Sequence, residues 1–127
     1  EVSQANGAIR IEKVTCAVDC GVAVNPDIIR AQMESGIGYG LGHVMRDAIT
    51  FADGAVEQRN FPDYEPLRVS DIGEIDVVIV PSEEAPTGVG EPAVPPSGPA
   101  LANAIAALMP DASLSALPLE AHGIRFA

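Results

Sequence analysis

With 127 residues the chain is long enough to bury one core and too short to argue for two domains, so residues 1–127 are read as a single domain. Hydrophobic residues at 47% and charged residues at 20% are the proportions of a soluble globular protein, which argues against disorder over most of the length. A net charge of −11 repels phosphate backbones and anionic lipid headgroups, so nucleic acid and membrane surfaces are disfavoured as partners.

Ile9 to Ala17 alternates apolar and polar residues with the period of a half-buried strand, and Asn6-Gly7 before it is a hairpin signal that pairs it with Glu1 to Ala5. The second strand is expected to end near Asp19-Cys20-Gly21. Asn25-Pro26-Asp27 predicts a helix start: Asn caps free N–H groups, Pro fits the first helical position and Asp favours the positive dipole end. The helix that follows carries Ile29, Met33, Ile37, Gly40 and Val44 on one stripe and Gln32, Gly36, Tyr39 and His43 on a second. Ala48 to Ala52 and Ala55 to Gln58 flank a second hairpin signal, Asp53-Gly54.

Ile75 to Val80 is β-branched almost throughout, and its near-continuous apolar character predicts burial on both faces. Pro81 to Pro99 reads as a Pro- and Gly-rich loop. Ala100 to Met109 reads as a helix with Leu101, Ile105 and Leu108 inward and Pro110 as its stop. A short last strand is expected near Leu114 to Leu119. Strands and helices alternate loosely with several hairpins, so the predicted class is α+β, a mixed sheet packed against two main helices. No apolar run reaches the roughly 18 residues that span a bilayer, and no basic-then-apolar leader opens the chain. The chain begins at Glu1, already reading as strand, and is expected to be a cut piece.

Cys16 and Cys20 lie on one predicted strand, about 13 Å apart between Cα atoms, too far for a disulfide. With no histidine near them in sequence they read as packed thiols, and no metal ligand is assigned.

Glycines 36, 38, 40 and 42 fail the dinucleotide fingerprint and lack a following Lys-Ser/Thr. They leave two accounts: close approach of another backbone, or contact with a cofactor. Thr87-Gly88-Val89-Gly90-Glu91-Pro92 is more pointed, since glycines on one side admit a ligand and Pro92 stiffens the other. A carboxylate held this way has a fixed direction and, if desolvated, suits a general base. The simpler account of Glu91 from the residues alone is a solvated side chain in a surface turn. A hydrolytic pairing of Glu91 with Glu84 or Asp71 has no supporting spacing.

Four ordered blocks together change that balance. Val18 to Pro26, the Gln32-Met33-Glu34-Ser35-Gly36 block with its trailing Gly40-Leu41-Gly42, Gly88 to Pro92, and Pro99 to Ile105 resemble, in order and spacing, the cofactor domain of the xanthine oxidase/aldehyde oxidase family. Asn60 to Ser70 and Leu117-Pro118-Leu119 look most like its isoquinoline oxidoreductase and bacterial aldehyde dehydrogenase branch.

The resemblance implies the C-terminal portion of the molybdopterin-binding domain of a larger subunit. It implies hydroxylation, with water, of an electron-poor carbon such as an aldehyde or N-heterocycle carbon. Glu91 would be the general base, Gln32 a cofactor-contacting amide, and Gly90 the point of close approach to the molybdenum site. The implied cofactor is molybdopterin with molybdenum, expected in the cytosine dinucleotide form. The implied partners are the rest of the large subunit, a [2Fe-2S] iron–sulfur small subunit and a small-molecule substrate, in a bacterial cytoplasm or periplasm. Ser35 and Tyr39 depart from the family's usual Gly and Gln. A chain this much shorter than a family subunit is expected to hold no molybdenum and show no activity by itself. The competing reading is a non-catalytic interaction module that keeps the fold.

Overall fold

A computed structural model describes every residue, Glu1–Ala127. Its elements in chain order are β1 (Val2–Ala5), β2 (Ala8–Val18), α1 (Pro26–Met45), β3 (Phe51–Ala52), β4 (Ala55–Val56), β5 (Ile72–Ile79) and α2 (Val94–Leu108), with short 3-10 turns at Phe61–Asp63, Val69–Asp71 and Leu119–His122. β2 is central, antiparallel to β1 and parallel to β5, with Ile11 opposite Ile72 and Val18 opposite Ile79. Because β2 and β5 run parallel, their connection has to cross over, and α1 lies within it. The result is the expected α+β arrangement of a mixed sheet with two main helices.

Both hairpin signals hold, and for the same reason. Asn6 and Gly7 adopt φ of 52° and 76°, Asp53 and Gly54 51° and 76°, the positive values that match a two-residue turn to strand twist. The second hairpin is reduced to two residues a side.

Strand β2 changes phase midway. The amides of Glu12 and Lys13 both donate to the carbonyl of Glu1, at 3.0 and 3.4 Å, so two residues oppose one and the strand bulges. Before the bulge Ile9 and Ile11 face the core; after it Val14, Cys16 and Val18 do. Gly73 of β5 sits beside the bulge, where a Cβ would run into the Glu12 carbonyl. Cys20 is buried, Cys16 partly so, and both are free thiols.

α1 and α2 pack on each other and on β5 and β1 respectively, so they share one face of the sheet. Between them lies one cluster of buried side chains that includes Ile9, Ile11, Met33, Ile37, Met45, Leu101, Ile105 and Leu119.

Four expectations change. β5 is not buried on both faces: Ile75, Val77 and Ile79 meet the core, while Glu74, Asp76 and Val78 lie on the open face. There Lys13 Nζ reaches Glu74 at 3.0 Å and Asp76 at 3.4 Å. No helix covers that face within the chain, so β-branched content reported strand propensity and not burial.

The last strand does not form at Leu114–Leu119; Pro118 has no N–H to give a ladder, and a 3-10 turn follows at once. Strand-like pairing comes later, where the Ile9 amide donates to Arg125 O at 2.7 Å and Ala127 N to Ile9 O at 2.9 Å.

Helix α2 begins at Val94, six residues earlier than predicted. Pro95 and Pro96 fall in its first turn, where amides need no intrahelical partner, and the Ser97 hydroxyl donates to Ala93 O at 2.6 Å. Its third inward residue also fails, for Leu108, the last residue of the helix, is 41% exposed.

Candidate functional site

Asn25 caps α1 as expected, its Oδ1 accepting the Ile28 amide at 3.2 Å. One face of the helix packs inward through Ile29, Met33, Ile37, Leu41 and Val44; Gln32, Ser35, Tyr39 and His43 are exposed. The Gln32 amide makes no hydrogen bond within the chain, and the side chain stands one turn before Gly36.

The crossing of the two helices fixes where the Glu91 loop lies. A Cβ at Gly40 would stand 2.6 Å from Val94 O and 3.1 Å from Ser97 Cβ; one at Gly36 would stand 3.0 Å from Ala93 Cβ. The start of α2 therefore lies directly on the α1 backbone, so Gly36 and Gly40 serve close approach of a second helix, while Gly42 makes room for the Asp47 side chain and Gly38 faces open space. The Glu91 carbonyl accepts the Val94 amide at 2.9 Å, which ties the loop to the first turn of α2. At its other end, Thr87 N donates to Cys20 O at 2.9 Å and Val22 N to Glu84 O at 3.0 Å.

Held at both ends, the loop presents Gly90 and an exposed Glu91 across a cleft from Ser35, Gly36 and Tyr39. The structure thus brings Glu91 and Gly90 together with α1. Gln32 lies on the same helix outside that cleft. Neither Gly88 nor Gly90 has a heavy atom within 4 Å of where a Cβ would sit, so the loop is open to a ligand's approach. The chain places no group of three His, Cys, Asp or Glu side chains around a metal position.

A second cluster escaped the sequence reading. Asp47, just past α1, has a side chain only 8% exposed; its Oδ2 accepts the Tyr64 hydroxyl at 3.1 Å and lies 3.5 Å from His43 Nδ1. Its Oδ1 has no partner in the chain. The Tyr39 ring sits 4.6 Å from that of His43, and Tyr39 lines both the Glu91 cleft and the neighbouring one holding Asp47 and Tyr64. The available signal was the spacing: 35, 39, 43 and 47 continue one helical stripe past the end of α1.

Burial first, then the hydrogen bond to Asp47, pushes the Tyr64 phenol above its ordinary value of 10.0. A raised value means the fold favours the neutral phenol. The stability this group contributes is complete below pH 10.0 and is lost as pH climbs through its higher folded value. A tyrosinate absorbance titration is expected to show Tyr64 ionising late. In Asp47→Ala it should return only part of the way, because burial is the larger cause; full return would contradict this.

A family model described as molybdopterin cofactor-binding domain matches residues 1–73, more than half of the chain. The membrane-bound aldehyde dehydrogenase of Gluconacetobacter polyoxogenes, whose name specifies pyrroloquinoline quinone, is 38% identical over 82% of this chain and 14% of its own length. The beta subunit of isoquinoline 1-oxidoreductase from Brevundimonas diminuta is 38% identical over 82% of this chain and 13% of its own length.

Among solved structures, quinoline 2-oxidoreductase from Pseudomonas putida 86 matches 88% of this chain and 15% of that chain, with a TM-score of 0.74 at 22% identity, a likeness of fold. The chain spans about one-seventh of the length of these curated relatives. No helix is long and apolar enough to cross a membrane. By the family model and the identity to these relatives, the chain belongs to the molybdopterin cofactor-binding domain family of the molybdenum-dependent oxidoreductases.

Proposed function

We propose that this chain is the C-terminal part of the molybdopterin-binding domain of a hydroxylase subunit, and that it supplies the base for hydroxylating an aldehyde or N-heterocycle carbon with water. The observation that carries the proposal is the Glu91 loop. It is pinned by backbone bonds at both ends, open at Gly88 and Gly90, and turned toward the exposed face of α1.

The residues present fit a molybdenum–pterin group. Gly90 leaves room for its approach, and the free Gln32 amide offers both donors and an acceptor to a pterin. When bound, that group supplies the two-electron oxidation.

Within this chain, Glu91 then accepts at its carboxylate the proton released as the water-derived oxygen bonds to carbon. Pro92 and the Val94 amide keep the side chain's root from swinging away. In this reading the rest of the large subunit closes the cleft, the cofactor is the cytosine dinucleotide form, and electrons leave through a [2Fe-2S] subunit. The isolated chain then holds no molybdenum and does not turn over.

The test is Glu91→Gln in the full-length subunit, with turnover and cofactor content measured together. Lost turnover with molybdenum retained supports the base. Unchanged turnover, or a quinone recovered in place of molybdenum, overturns the reading. Gln32→Ala is expected to act on loading instead. A lost hydrogen bond of about 1 kcal/mol corresponds to roughly five-fold weaker cofactor retention, read as molybdenum per subunit after dialysis.

A further inference from the structure

We propose that Tyr39 is a specificity-determining residue of the Glu91 cleft, its phenol donating a hydrogen bond to an acceptor atom beside the reacting carbon of an aromatic substrate. The proposal rests on the reading of Glu91 given above. Tyr39 is 64% exposed and shares one cleft with Glu91, Gly90 and Ser35.

An exposed tyrosine on a helix ordinarily samples several rotamers, and ordering it on binding has a cost. Here its ring is buttressed. His43 lies one turn on, ring centroids 4.6 Å apart at an interplanar angle of 60°. The His43 Nδ1 is 3.5 Å from Asp47 Oδ2, and that carboxylate is in turn held by the Tyr64 hydroxyl at 3.1 Å and closed in against Gly42. A buried, fixed group thus backs an exposed one, in the way a supporting layer orients a binding side chain.

The stripe Ser35–Tyr39–His43–Asp47 lies outside the packed core of α1. The sheet-facing side of α1 is occupied by Met33, Ile37 and Leu41, so Tyr39 is not needed for the core. A phenol O–H is a donor matched to a ring nitrogen or a carbonyl oxygen. It has nothing to offer a hydrocarbon of the same shape beyond its ring face.

That difference is the test. Full-length holoenzyme is first reduced with dithionite, so that no oxidising equivalents remain for turnover. Equilibrium dialysis then measures its affinity for isoquinoline and for naphthalene, the isosteric probe without an acceptor. Wild type is expected to bind isoquinoline about five-fold more tightly than naphthalene, the value of one net hydrogen bond.

Tyr39→Phe should keep its molybdenum and lose that preference through isoquinoline alone. His43→Ala should lose part of the preference, and nothing further once Tyr39→Phe is already present. Equal binding of the two probes by wild type overturns the proposal. So does an unaltered preference in Tyr39→Phe, or loss of molybdenum in that variant, which would place the phenol on the cofactor. The separate failure of Glu91 as base would show as normal turnover in Glu91→Gln, a result that leaves this binding measurement unaffected.

Discussion

Glu91→Gln in the full-length subunit is expected to lower turnover by about 10²–10⁴-fold, the usual worth of a positioned base, with molybdenum content unchanged. The substitution is nearly isosteric, and it spares the bond between the Glu91 carbonyl and the Val94 amide that holds the loop. The Glu91 side chain is exposed and makes no ion pair within the chain, so its charge supports no part of the fold. Melting should therefore move by no more than about 0.5 kcal/mol equivalent.

These three readouts separate three roles. A base loses rate alone, a cofactor ligand loses rate and molybdenum together, and a structural residue loses stability first. The reading fails if rate is retained, or if rate falls only in step with metal content. Gly90→Ala provides a contrast. A Cβ at Gly90 meets nothing within 4 Å in this chain, so any loss of loading in that variant reports a ligand coming close to the loop.

Much of this arrangement was legible because local chemistry dictates it. Asn6-Gly7 and Asp53-Gly54 specify turns whose positive φ few other pairs accept, and Asn25-Pro26 specifies a cap. Even the bulge in β2 was visible in principle: the apolar phase slips from Ile9 and Ile11 to Val14 and Cys16 across the adjacent charges Glu12 and Lys13.

What stayed hidden depends on distant contacts. β5 looks doubly buried by composition, yet whether a face is covered depends on which elements lie over it. Pro95 and Pro96, which masked the start of α2, are helix breakers in general and harmless in a first turn, and Pro99 is carried inside the helix beyond it. Glu91 could be singled out by its glycine and proline neighbours. Its partners across the cleft, Ser35 and Tyr39, required knowing that Gly36 and Gly40 receive the α2 backbone. Asp47 and Tyr64, separated by the second hairpin, carry no mutual signal in sequence beyond the helical spacing of Asp47 itself.

Gly40→Ala is expected to destabilise the protein by about 1–3 kcal/mol, although alanine is the better helix former. Propensity alone favours the substitution by roughly 1 kcal/mol. The crossing opposes it: the new methyl would stand 2.6 Å from Val94 O and 3.3 Å from Val94 Cα, and a backbone carbonyl cannot swing aside as a side-chain tip can. Either α2 retreats and its contacts with the core loosen, or the α1 helix bends.

Gly38 supplies the internal control. It lies in the same helix two residues away, with nothing within 4 Å of its Cβ position, so Gly38→Ala should stabilise by about 0.5–1 kcal/mol. Opposite signs in urea or thermal melts for one chemical change at neighbouring glycines would isolate the crossing as the cause, and like signs would show it is not tight. With Glu91 as the proposed base, the same displacement has a catalytic consequence, because only Pro92 separates Glu91 from Ala93 and the Val94 amide holds the Glu91 carbonyl. Moving the start of α2 by about 1 Å moves Glu91 with it, and for the proposed base a misplacement of that size can remove up to about 10²-fold in rate. Gly40→Ala is therefore expected to lower turnover beyond what its folded fraction explains, whereas Gly38→Ala lowers neither.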